Sequence, residues 1–153
     1  MSDRSLSPVL GVVLLVAITA TLAGVVGSVA LGTDVPTDST TAALDLRTDA
    51  DANRVTLVHR GGEALDVTDL TVRIAVDGRA LDAQPPVPFF SAPGFRPGPT
   101  GPFNSATDRE WTAGERASVR LAQTNDPLIA PGASVSVTLS ADGRVLAELD
   151  ATA

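Results

Sequence analysis

The chain has 153 residues, with 18 acidic and 11 basic side chains, a formal net charge of −7 and no cysteine. That length accommodates one hydrophobic helix and one domain of about 110–120 residues. Every basic residue is arginine, and aspartate outnumbers glutamate 14 to 4. Such a surface suits very high salt and speaks against nucleic acid, which needs a basic face; without thiols there are no disulfides and no thiolate metal centre.

The first element is residues 5–33, SLSPVLGVVLLVAITATLAGVVGSVALGT, which carry no charge. As one helix they run to about 43 Å at ~1.5 Å per residue, beyond the ~20 residues that cross a bilayer. Pro8 falls in the opening turn, where its missing N–H costs little. The stretch reads in three ways. It is a membrane anchor; or a secretory signal cut after Ala30, at Ser28-Val29-Ala30, although the apolar run is about twice the usual ~7–15 residues; or a helix that packs against copies of itself. For the last, Ala17, Ala20, Gly24 and Gly27 follow 3-4-3 spacing and share a face. Small residues let helix backbones approach closely where no water drives association.

Asp3-Arg4-Ser5, followed by Leu6-Ser7-Pro8-Val9-Leu10-Gly11 and the apolar run, resembles the N-terminal segment of archaeal type IV pilins, halophilic ones in particular. The resemblance covers about thirty residues. It implies cleavage by a prepilin peptidase between Ser5 and Leu6, and a signature formed by Ser7, Pro8, Val9 and Gly11. It implies further that the helix is kept as the core of a surface filament. Ser stands before the cut where Ala or Gly is commoner, and the leader is short.

The resulting domains are a leader at 1–5, a transmembrane and filament-core helix at 6–32, a polar linker at 33–42 (TDVPTDSTTA) and a head at 43–153. In the head, residues 43–49 and 54–59 alternate and flank the DADAN turn as a hairpin, with Leu44, Leu46, Val55, Leu57 and His59 to one side. Gly61-Gly62 then predicts positive φ or a bulge. Residues 71–76 (TVRIAV) form the next strand, and Asp77-Gly78 turns into a short strand at 79–81. Residues 84–104 hold seven of the eleven prolines and all four phenylalanines. Proline removes ladder donors, so no central strand fits there. The rings of Phe89, Phe90, Phe95 and Phe103 either cover an open sheet edge near Trp111 or form a surface for contact. Alternation returns at 116–122 and 134–140, and Asp142-Gly143 closes a hairpin in which Val145, Ala147 and Leu149 continue the apolar face. The fold class is therefore α+β: one long hydrophobic helix, then an antiparallel β-sandwich head of immunoglobulin-like size.

The chemistry available is sparse. His59 is the single histidine and has no partner type to complete a metal or base site. Asp49, Asp51, Asp66 and Asp69 have no ordered Ca²⁺-loop spacing and read as solvated surface. No phosphate loop or nucleophile elbow is present, so neither catalysis nor a cofactor is expected. The resemblance implies a structural, adhesive filament subunit. Its partners would be other pilins, a prepilin peptidase, an assembly ATPase with its membrane platform, and membrane lipid before assembly. Its N-terminus would be cytoplasmic and its head outside. The alternatives are a membrane-anchored binding module that never polymerises, and a secreted domain released after Ala30.

Overall fold

The computed structural model describes residues 6–31 and 41–153, with side-chain surroundings in the helix given for 8–24. The expected leader, and the expected linker up to residue 40, lie outside the described residues. The chain divides into two compact units, Met1–Ser39 and Thr40–Ala153.

The first unit carries α1, Leu6–Leu31. Its sequence has no charge and no breaker after Pro8, and the two threonine hydroxyls donate to carbonyls a turn back, Thr19 Oγ1 to Leu15 O at 2.8 Å and Thr21 Oγ1 to Ile18 O at 2.8 Å. Neither threonine hydroxyl is thus left seeking water. Residues 8–24 are exposed on every side of the helix, Val9 at 60% and Leu22 at 60% among them. Among the described residues no helix is long and apolar enough to cross a membrane; the side chains described end at residue 24, short of the ~20-residue run that a bilayer needs.

The second unit is antiparallel β throughout its named strands. β1 (Ala42–Asp49), β2 (Arg54–Gly62) and β7 (Arg116–Arg120) form one sheet in the order β1-β2-β7. β3 (Leu65–Asp66) pairs with β6 (Glu110–Trp111). β4 (Leu70–Val76), β5 (Arg79–Ala80), β8 (Ser134–Ala141) and β9 (Arg144–Thr152) form the largest sheet, in the order β5-β4-β8-β9. The alternating apolar residues of the two larger sheets enter one core: Val55, Leu57, Ala117 and Val119 from the first, Val72, Ile74, Val135, Val137 and Leu139 from the other.

The hairpins follow from their turn residues. Asp77-Gly78 and Asp142-Gly143 have positive φ at both positions, 50° and 78° in the first and 50° and 75° in the second. That is the turn whose twist matches paired strands. At the end of β2 the expected bulge is present: the register with β1 steps from Ala43↔Gly61 to Leu44↔His59, leaving Arg60 extra. Gly62 has φ 101°, and a Cβ there would run into the Thr41 carbonyl, so this crossing requires glycine.

One inward assignment fails. Val145 is 59% exposed. The register of β8 and β9 steps from Leu139↔Ala147 to Ser140↔Val145, which makes Leu146 the extra residue of a second bulge. Side chains alternate with a period of two, so one inserted residue turns every position beyond it to the other face.

Candidate functional site

Three places carry the residues singled out by sequence. The first is α1. Leu6 is its first residue, Pro8, Val9 and Gly11 lie in its opening turns, and Pro8, Val9, Gly11, Ala17, Ala20 and Gly24 are all exposed. Ser5 lies outside the described residues, as do the surroundings of Ser7 and Gly27. Side chains built at Gly11 or Gly24 would meet nothing within 4 Å beyond the helix itself. A shallow hollow lined by Leu15, Val16, Thr19, Ala20 and Ala23 runs along the helix, opened by the small side chains of Ala20 and Ala23. An exposed helix that is apolar all round has no aqueous role; it needs an apolar partner, lipid or protein.

The second place is the proline-rich stretch. It forms no strand, yet it closes the free edge of β7. Arg96 N donates to Arg120 O at 2.8 Å, Thr100 N to Ser118 O at 3.0 Å, and Ala122 N to Gly94 O at 2.9 Å. Between these bonds Pro97 and Pro99 offer no donor, which is why pairing stays isolated. The rings divide. Phe89, Phe95 and Phe103 are buried, while Phe90 is 57% exposed. Phe103 meets Trp111 edge-on with centroids 5.3 Å apart, and Phe89 meets Phe95 at 5.7 Å. Three rings thus cover core and edge, and the expectation of a four-ring contact surface narrows to Phe90.

The third place is His59, which is fully buried, edge-on to Trp111 at 5.7 Å. Its Nε2 lies 2.9 Å from the Glu63 carbonyl, which can only accept, so Nε2 carries the proton. Its Nδ1 is buried with no partner among the described residues. The Glu115 carbonyl accepts from both His59 N at 3.0 Å and Trp111 Nε1 at 3.1 Å. His59 therefore ties the β2 bulge to the turn after β6, a structural role.

The aspartates do not converge. Asp49 accepts from Ala52 N at 3.0 Å in the first turn, and Asp66 caps the 3-10 turn Val67–Asp69, accepting from Thr68 N at 2.9 Å and Thr68 Oγ1 at 2.6 Å. Those bonds, hydroxyl first, then amide, hold the Asp66 carboxyl below its ordinary value of 3.8, with Arg109 adding a smaller pull. Among the described residues no three His, Asp or Glu side chains gather as a metal would need.

Sequence reasoning missed two amides. Buried Asn125 accepts from Ala83 N at 3.1 Å and donates to Ala83 O and Gly94 O, each at 3.0 Å. Gln84 stands in for a strand, its Oε1 accepting from Ile74 N at 2.7 Å and its Nε2 donating to Ile74 O at 2.9 Å. Their partners lie up to 42 residues away, so no local pattern announces them.

An exposed apolar helix ahead of a β unit is the arrangement of an assembling or anchored protein. The comparison with known families agrees: residues 4–44 match the model described as archaeal Type IV pilin, N-terminal. Residues 4–44 are thus similar to an archaeal type IV pilin N-terminal domain, as the resemblance of the opening residues implied. A protein of Archaeoglobus fulgidus, described as uncharacterized, is 37% identical to this chain over 81 residues. The match takes in 52% of this chain and 56% of the relative, so it spans about half of each.

Proposed function

We propose that the chain is a structural subunit of an archaeal type IV pilus-like surface filament that mediates adhesion or surface contact and catalyses nothing. The observation that carries this reading is α1 within a matched pilin N-terminal domain: 26 residues, uncharged and exposed on all sides where described. At ~1.5 Å per residue it is about 39 Å long, and a hydrocarbon core is ~30 Å thick. On this reading the helix waits in the membrane as a single pass, its N-terminus cytoplasmic. It then passes into a bundle of identical helices that replaces lipid as its apolar surroundings, so its burial is kept through assembly. Ala17, Ala20, Gly24 and Gly27 would be the face of closest approach, and the head, with its two larger sheets as a sandwich, would lie outside.

The partners are then other copies of the chain, a prepilin peptidase that cuts between Ser5 and Leu6, and an assembly ATPase with its membrane platform. Phe90 is the ring the head offers for outside contact. The test is the intact mass of the mature chain together with imaging of sheared surface material. A mature N-terminus at Leu6 in filaments is the expected result. A chain beginning at Leu31, as release after Ala30 would leave, overturns the reading.

A further inference from the structure

The outer face of the β1-β2-β7 sheet runs against the charge of the chain. Opposite its core-facing residues, the register sets Asp49 beside Arg54 beside Arg120, Arg47 beside Thr56 beside Ser118, and Asp45 beside Val58 beside Arg116. Arg60 joins from the bulge, bonded to Asp45 at 3.3 Å, and Arg96 extends the array beyond Arg120, whose carbonyl accepts from its amide. Six arginines thus share one face with two aspartates, in a protein of net charge −7. Of the six, only Arg60 has an ion-pair partner among the described residues. Arg120 Nε is buried with no acceptor among the described residues.

The same chain supplies acceptors on another surface. On the outer face of the β5-β4-β8-β9 sheet, Glu148 stands beside Thr138 and Asp150 beside Ser136, with Arg73 on the far side of Thr138 as the one cation in these two rows. Glu148, Thr138, Asp150 and Ser136 line a shallow open hollow with Val137 and Leu149. Neither carboxylate has an ion-pair partner among the described residues.

We propose that the arginine face of one copy docks on the Glu148–Asp150 face of a second copy. Guanidinium groups bond carboxylates in pairs of parallel hydrogen bonds, and flanking hydroxyls accept the remaining N–H groups. The two surfaces differ, so the contact is head-to-tail and repeats from copy to copy, as a filament requires. The proposal rests on the reading of the chain as an assembling subunit and adds the contact between heads.

The chain has no cysteine, so thiols report contacts cleanly. The full chain in mild detergent, carrying Thr56→Cys on the arginine face and Ser136→Cys on the other, should oxidise to a covalent ladder that fades as salt rises. Arg47→Glu with Arg116→Glu should abolish the ladder, as should Glu148→Arg with Asp150→Arg. Mixing these two charge-reversed chains should restore it, which also establishes that both fold. A ladder that survives charge reversal overturns the proposal. So does retention of a carboxylated polysaccharide by the arginine face with no ladder, which makes a polyanion the partner. Filaments of the cysteine-bearing chain that give no ladder overturn the head contact and leave the filament reading standing; a ladder from a chain that never forms filaments upholds the contact and overturns that reading.

Discussion

Asn125 fixes two backbone segments to its own turn with one side chain. Removing it at Asn125→Ala leaves Ala83 N and Ala83 O without their partner, while Gly94 O keeps the bond from Ala122 N. Each buried group left unpaired costs about 1–3 kcal/mol, so a loss of about 2–5 kcal/mol is expected in denaturant melts. Gly94 cannot compensate, since a Cβ there would stand 2.7 Å from Ala83 Cβ. Asp66 gives a second prediction, with pH as the variable. Its carboxyl is held below the ordinary value chiefly by the Thr68 hydroxyl. A carboxyl lowered in the folded state adds stability that is present above the unfolded value, near pH 4, and is lost as pH falls through the folded one. Thr68→Val removes that hydroxyl. The variant should melt below the parent at neutral pH, and the two should converge in strong acid; a gap that is constant with pH would refute the assignment.

At the scale of elements, the proline-rich stretch separates two jobs that its four rings share in sequence. Phe103→Ala removes a ring packed on Trp111 and should cost about 3–5 kcal/mol, a large part of the ~5–15 kcal/mol that holds a domain together. Phe90→Ala removes an exposed ring and should change stability by no more than about 0.5 kcal/mol, while reducing surface adhesion or bundling. Melting curves of the two variants check the division. The strands around this stretch were legible because alternation and Asp-Gly turns are local signals: the hairpins at 77–78 and 142–143 lie where those residues put them. The split among the phenylalanines was not legible, since prolines erase any period that would assign a face. Val145 was misread for a related reason. A bulge of one residue, Leu146, leaves the sequence alternating while the side chains change sides. Asn125 and Gln84 were opaque because their partners are backbone groups brought together only by the fold. The helix, by contrast, was readable from composition alone, and its signature residues were readable only by resemblance.

For the whole molecule the question is what α1 packs against in each of the two settings proposed for it, lipid and filament. In lipid, every face of an apolar helix is equally solvated by acyl chains, and small residues confer no advantage. In a bundle of copies they do, because the axes can approach only where side chains are short. Gly24 presents open space beyond its own helix, and Ala20 opens a shallow hollow one turn earlier. Gly24→Leu combined with Gly27→Leu adds bulk along this face and raises the apolar content, so membrane retention of the chain should be unchanged or stronger. Assembly should fail, because two leucines force neighbouring backbones apart where they must touch. The measurement is paired: the amount of chain in the membrane fraction, and the amount in sheared filaments. Loss of filaments with full membrane retention is the expected outcome. Normal filaments from the double variant would mean that this face meets lipid or solvent in the assembled state, and that the helices approach along another. Loss from both fractions would point to a chain that no longer inserts or survives, and Gly24→Ala with Gly27→Ala, which keeps the face small, then serves as the comparison that must assemble if close packing is what the glycines provide.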